Sequence, residues 1–161
     1  MRLLEIFYEK VLGRPAPYYA RYPLWLILWK PVRKSLNVTV IPNIPFNTLR
    51  IWLYRLVGYK IGKNVFIGMK CYLDDTEPQN IIIGDNVTIS YGCYFACHGI
   101  RQKRTRIVIE DGVYIGMRAN LISGKKGITV KKGAIVAAGS LVNKDVEAGT
   151  TVAGVPARRL K

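Results

Sequence analysis

From Ile61 onward the hydrophobic positions of this chain keep a period of six. Apolar residues open successive units at Ile61, Ile67 and Leu73, then Ile83, Ile89 and Phe95, then Ile109, Ile115 and Leu121, then Val130, Val136 and Val142. The opening residue is commonly followed by Gly or another small residue. A small or β-branched side chain returns four places on, as in Ile61-Gly-Lys-Asn-Val65, Ile83-Gly-Asp-Asn-Val87 and Val136-Ala-Ala-Gly-Ser140. A six-residue unit is one short strand and a turn, which cannot bury its own apolar side chain, whereas stacked units bury a continuous core. The phase slips only between triplets, after Leu73, Phe95 and Leu121. Three units therefore make one three-sided coil, and every insertion leaves the prism at the same corner, where function is expected to concentrate. A β-sandwich would give variable spacing and strict period-two alternation. The pattern predicts instead an all-β domain, a parallel β-helix, over residues 59–161.

Residues 1–58 lack the repeat and predict a separate, mainly helical segment. Asn47 is expected to cap a helix running to Val57, with Gly58 as its stop signal. Leu49, Trp52, Leu53, Leu56 and Val57 would share one face of it opposite Arg50 and Arg55. A second amphipathic helix is expected from Leu3 to Leu12, and a strongly apolar stretch from Tyr22 to Trp29 is bounded by Pro23 and Pro31. The segment holds all three Trp, ten of the seventeen aromatics and nine Lys or Arg against two Glu. Such material suits the head-group layer of a membrane. It equally suits a cap on the open end of the prism or a contact with a neighbouring subunit.

Composition adds limits. A chain of 161 residues, half of them apolar and with a formal charge of +15, is globular and attracts anions. Nucleic acid is not the expected partner, because no groove-entering or base-stacking module is present. Cys71, Cys93 and Cys97 are odd in number and follow no signal peptide, which argues against a disulfide framework and for a reducing cytoplasm. No apolar run near the N-terminus approaches the roughly 20 residues of a membrane-spanning helix, so any membrane association is expected to be peripheral, through residues 1–58.

His98 is the only histidine and begins the longest insertion. An imidazole there can take an acceptor proton and return it to a leaving group, or it can be a solvated turn residue. Cys97 offers a rival, a thiolate nucleophile. Neighbours on a strand point to opposite faces, however, so the two are not expected to share a hydrogen bond. Cys71 and Cys93 fall at the small fifth position and are expected to fill the core. Cys93, Cys97 and His98 match no common zinc spacing, so no metal is expected. The loop after His98 carries Arg101, Lys103, Arg104 and Arg106, and is expected to contact an acidic group.

Residues 56–161 resemble the hexapeptide-repeat acyltransferases, in particular the branch that acetylates maltose, galactosides, xenobiotics and polysaccharides. The resemblance rests on Ile61-Gly-Lys-Asn-Val, Ile83-Gly-Asp-Asn-Val, the His after Phe-Ala-Cys, Val113-Tyr-Ile-Gly, Ala138-Gly-Ser and Ala153-Gly-Val-Pro-Ala-Arg. It implies a left-handed coil, a homotrimer, and acetyl-CoA in a groove between neighbouring prisms. It also implies His98 as catalytic base and a backbone donor for the oxyanion near Gly116 or Met117. Asp74 and Asp75, with Arg101 and Arg104, would contact the acceptor. Tyr114, Ala119, Ala137 and Ala138 would line the pantetheine groove, and Asn143, Lys144, Arg158 and Arg159 the nucleotide end. The expected reaction is O-acetylation of a sugar in a surface polysaccharide or lipid-linked glycan. N-acetylation of an amino sugar and a non-enzymatic membrane-associated scaffold are the alternatives. A carbonic anhydrase on the same prism needs three histidines and is excluded.

Overall fold

The computed structural model describes residues 3–15, 24–98 and 105–160. In it the six-residue period becomes twelve strands of two or three residues. The first coil holds β1 (Lys60–Ile61), β2 (Phe66–Ile67) and β3 (Tyr72–Leu73), and the second β4 (Ile81–Ile83), β5 (Thr88–Ile89) and β6 (Tyr94–Ala96). The third holds β7 (Ile107–Ile109), β8 (Tyr114–Ile115) and β9 (Asn120–Ile122), and the fourth β10 (Ile128–Val130), β11 (Ile135–Val136) and β12 (Leu141–Val142). Equivalent strands stack in parallel into three faces, β1-β4-β7-β10, β2-β5-β8-β11 and β3-β6-β9-β12. On the second face β13 (Thr151–Gly154) continues the stack beside β11, and β14 (Ala157–Arg159) turns back antiparallel.

Each turn has a local cause. The fourth position of the unit adopts a left-handed backbone, at Asn64 (φ 51°), Asn86 (φ 55°), Gly112 (φ 67°) and Gly133 (φ 65°), which Asn and Gly tolerate best. The second position is small because the next coil lies directly above it. A Cβ on Gly62 would stand 2.3 Å from the Asp85 carboxylate, and one on Gly84 2.4 Å from that of Asp111. Those carboxylates accept the N–H groups of Lys63 (2.6 Å) and Asp85 (2.8 Å), so acidic residues tie coil to coil. Inside, Ile67, Leu73, Ile89, Phe95, Ile115, Leu121, Val130 and Val136 are wholly buried. Cys71, Cys93, Ala119, Ala134 and Ser140 fill the fifth positions. The two cysteines are free thiols in the core, as expected.

The chain divides into a unit of Met1–Leu36 and a unit of Asn37–Lys161 that contains the prism. Residues 37–58 join the prism because its first coil has no strand below it to satisfy its backbone. On the first face Arg55 donates to Ile61 O (3.1 Å) and to Gly62 O. On the second, Asn47 donates to Val65 O (2.9 Å) and accepts from Ile67 N (3.1 Å), while Arg50 donates to Ile67 O (2.9 Å). On the third, Asn37 and Tyr59 both donate to Leu73 O, at 2.5 and 2.9 Å. This part of the segment caps the open end.

The helix α3 (Asn47–Val57) has the expected span, and Gly58 ends it at φ 117° with its N–H donating to Tyr54 O and Arg55 O. Asn47 is its first helical residue and no cap, since its side chain is spent on β2. Arg50, Ile51 and Tyr54 are buried on the inward face, while Leu49, Trp52 and Leu56 are exposed opposite it. In the N-terminal unit, α1 (Leu3–Ile6) runs into a wider turn over Phe7–Val11. There α2 (Leu24–Ser35) passes through Pro31, which removes one helical hydrogen bond without ending the helix. No helix among the described residues is long and apolar enough to cross a membrane.

Candidate functional site

The insertions after β3 and β6 leave the prism one above the other, which brings together two residues 24 positions apart. Asp74 follows β3 and His98 follows β6. The Asp74 carboxylate is wholly buried, His98 is 48% exposed, and Oδ2 of Asp74 lies 2.5 Å from Nδ1 of His98. Asp74 is itself held in place. Its Oδ2 accepts the Cys97 N–H at 2.6 Å, and its Oδ1 accepts the Thr76 N–H at 2.9 Å. Tyr59 donates to the Asp74 carbonyl at 3.2 Å. Burial alone would raise the pKa of this carboxyl, but the Thr76 N–H, His98 and the Cys97 N–H outweigh it and hold it below the usual range.

An ionised carboxylate can only accept, so Nδ1 of His98 carries the proton and Nε2 is left with its lone pair. Oγ1 of Thr76, 3.3 Å from Nδ1, fixes the ring from a second side. The arrangement is a buried acid orienting a solvent-accessible base. Cys97 cannot rival it. It is buried, and burial with Asp74 nearby pushes its thiol up to about 12.

This geometry corrects one assignment for Asp74. A wholly buried carboxylate committed to His98 and two N–H groups has no contact left for an acceptor. Asp75 is half-buried and accepts the Tyr72 hydroxyl at 3.0 Å. Arg101 and Arg104 lie outside the described residues. The foot of their loop is fixed by Thr105, whose N–H donates to Cys97 O (3.1 Å) and whose hydroxyl donates to Gly124 O (2.8 Å).

The Gly116 N–H is spent on Val136 O at 2.7 Å, so it cannot serve an oxyanion. Gly116 is there for stacking, because a Cβ would come 2.5 Å from Ala138 N. Met117, exposed in the same turn, keeps the candidacy. Ala119 is wholly buried and belongs to the core, not to a groove. Tyr114 stands exposed on the second face, where Ser90 Oγ donates to its hydroxyl at 3.2 Å. Ala138 and Met117 line an open concavity with Tyr91, Arg118 and Gly139, with half-buried Ala137 beside it. That corner joins the second and third faces, whereas His98 stands where the third face turns toward the first. Within one chain the two are at opposite edges of the third face.

Asn143, Lys144, Arg158 and Arg159 do come together, around a concavity of about 390 Å³ beside β12 and β14. Lys125 and Lys126 extend this basic surface down the insertion corner, sharing a second concavity with Asn143 and Lys144. Sequence reasoning missed both lysines and Thr76. The signal was available: Gly124-Lys-Lys-Gly127 is the third coil's insertion at the corner that also carries His98. No group of three or more metal-ligating side chains converges among the described residues.

Comparison with known proteins follows the same lines. The family model described as the hexapeptide repeat of succinyl-transferase matches residues 59–95 and 106–144. YvoF of Bacillus subtilis (strain 168), provisionally named an acetyltransferase, is 32% identical over 133 residues, covering 80% of this chain and 76% of its own. A hexapeptide-repeat acetyltransferase of Vibrio cholerae superposes with a TM-score of 0.67 at 27% identity, over 86% of this chain and 93% of its own. Its complex with acetyl coenzyme A gives the same score at 28% identity, over 84% and 88%. The tetrahydropyridine-2,6-dicarboxylate N-acetyltransferase of Staphylococcus aureus (strain bovine RF122 / ET3-1) is 44% identical over 78 residues. That match spans 48% of this chain but only 31% of the relative.

Proposed function

The chain belongs to the hexapeptide-repeat acetyltransferase family, and from that premise we propose that it moves the acetyl group of acetyl-CoA directly to a sugar hydroxyl. The observation that carries this is the Asp74–His98 pair, a half-exposed base held in one tautomer by a buried acid. Nε2 of His98 takes the acceptor hydroxyl proton as the oxygen attacks the thioester carbon. The C–S bond then breaks, and the imidazolium returns the proton to the coenzyme thiolate. Asp74 stabilises the charged ring during the interval without itself taking the proton. No covalent acyl-enzyme is formed, in keeping with a Cys97 thiol that is buried and protonated at neutral pH.

Acetyl-CoA suits the residues present. The Vibrio cholerae relative was solved with it, and the basic concavity of Asn143, Lys144, Arg158 and Arg159 offers several donors to phosphate oxygens. Lys125 and Lys126 extend that positive surface toward the site. We further propose that the working form is a homotrimer. His98 and the Met117–Ala138 corner stand at opposite edges of one face, so a groove using both would form between two copies. The acceptor we assign is a carbohydrate of a surface polysaccharide or lipid-linked precursor. Asp75 and Thr76 would bind its hydroxyls, and Arg101 and Arg104 an acidic group.

The Staphylococcus aureus relative, an N-acetyltransferase by name, favours a second reading in which the acceptor is an amine. Acetyl-CoA turnover with neutral, amino and acidic saccharides separates the two. An acetylated product cleaved by hydroxylamine is an ester and supports the hydroxyl acceptor. A hydroxylamine-stable product from amino sugars alone supports the amine, and neither product with any saccharide removes the carbohydrate assignment.

A further inference from the structure

Two helices carry exposed apolar stripes. In α2, Trp25, Leu28, Trp29 and Val32 recur at i, i+3, i+4 and i+7, and so form one stripe along the helix. Trp25 is 66% and Leu28 68% exposed, and Trp29 and Val32 are exposed as well. The α2 sequence also includes Arg33 and Lys34 in its last turn and no acidic residue. In the other unit, α3 spends its inward face on Arg50 and Tyr54 and leaves Leu49, Trp52 (57%) and Leu56 (69%) outside. Phe46, just before α3, is 70% exposed.

We propose that each of these stripes, taken by itself, seats in the surface of a bilayer bearing acidic head groups, so that the enzyme works as a peripheral membrane protein. Charge decides the occupant. Residues 1–58 hold nine Lys or Arg against two Glu, and the whole chain carries +15. A second copy docked on the same stripes would bring like charge against like charge. An anionic lipid surface complements that charge and accepts Trp at its polar boundary. The twelve residues of α2 are too few to span the hydrocarbon layer, and in-plane seating needs only one apolar stripe. Nothing in this inference depends on the acetyl-transfer site, so either can fail without the other.

The protein supplies its own probes, because its three tryptophans, Trp25, Trp29 and Trp52, all sit on these stripes. The 161-residue protein is mixed with vesicles of phosphatidylcholine alone or with added phosphatidylglycerol, and Trp emission and co-sedimentation are followed. A blue shift, quenching by brominated acyl chains and sedimentation with the phosphatidylglycerol vesicles are expected, weakening as salt rises. Leu28→Asp and Leu56→Asp change exposed positions on which the fold does not depend, and are expected to weaken binding about tenfold or more. Lys30→Glu combined with Lys34→Glu is expected to do the same at low salt. The proposal is overturned if wild type ignores both vesicle types. It is equally overturned if Leu28→Asp and Leu56→Asp leave lipid binding intact and instead reduce the size of the assembly.

Discussion

At the scale of single residues the chemistry turns on which side chains are buried. His98 is reachable and Asp74 is not, and in the proposed mechanism that asymmetry makes His98 the base and Asp74 its positioner. Cys97, one residue from His98, is removed from the chemistry by the same criterion. Cys97→Ala is therefore expected to keep acetyl transfer within a few-fold of wild type, and native protein to resist thiol alkylation at neutral pH. Loss of activity in that variant, with its fold intact, would restore the acyl-enzyme route. Asp74 makes a prediction in pH. Its folded pKa lies below the ordinary 3.8, so its stabilising effect is present above that value and is lost as pH falls through the folded one. The stability gap between wild type and Asp74→Asn, read by denaturant melts, should shrink on acidification below about pH 4. At neutral pH the same variant should lower kcat by about a hundredfold while acetyl-CoA binding persists. His98 was legible in the sequence as a lone histidine at a loop. Asp74 as its partner was not, because the contact exists only through the stacking of two coils.

Elements show where pattern reading succeeds and where it stops. The strands were legible because every coil solves the same problem, an inward aliphatic, a left-handed turn and a small residue under the next backbone. The span of α3 was legible from Asn47 and Gly58, yet its orientation was not. Amphipathicity assumes that the apolar face seeks the core. Here the helix meets the end of a β-helix, where the most costly feature is unpaired backbone, so the face with donors goes inward. Arg50 spans the loop carbonyl of Ile44 and the strand carbonyl of Ile67. Arg50→Ala would leave those acceptors without donors and is expected to cost about 2–4 kcal/mol, measured by chemical denaturation. A change below 0.5 kcal/mol would mean that water can replace the cap.

For the whole molecule, one corner of the prism collects the Asp74 loop, the His98 loop, the Gly124–Gly127 turn and the basic concavity of the fourth coil. Stacked insertions are thus how a repeat fold without a natural cleft assembles a site. The other half of the proposed groove stands across the third face, so the proposed mechanism calls for assembly. Light scattering in mild detergent is expected to give three times the 18.2 kDa chain. An active monomer would contradict the shared groove. The central claim is tested most directly by thiol release from acetyl-CoA in the presence of saccharide acceptors, with wild type beside His98→Ala and coenzyme binding followed by calorimetry. The account predicts that His98→Ala binds acetyl-CoA as wild type does and turns over at least about a hundredfold more slowly. Turnover by His98→Ala at the wild-type rate would contradict it.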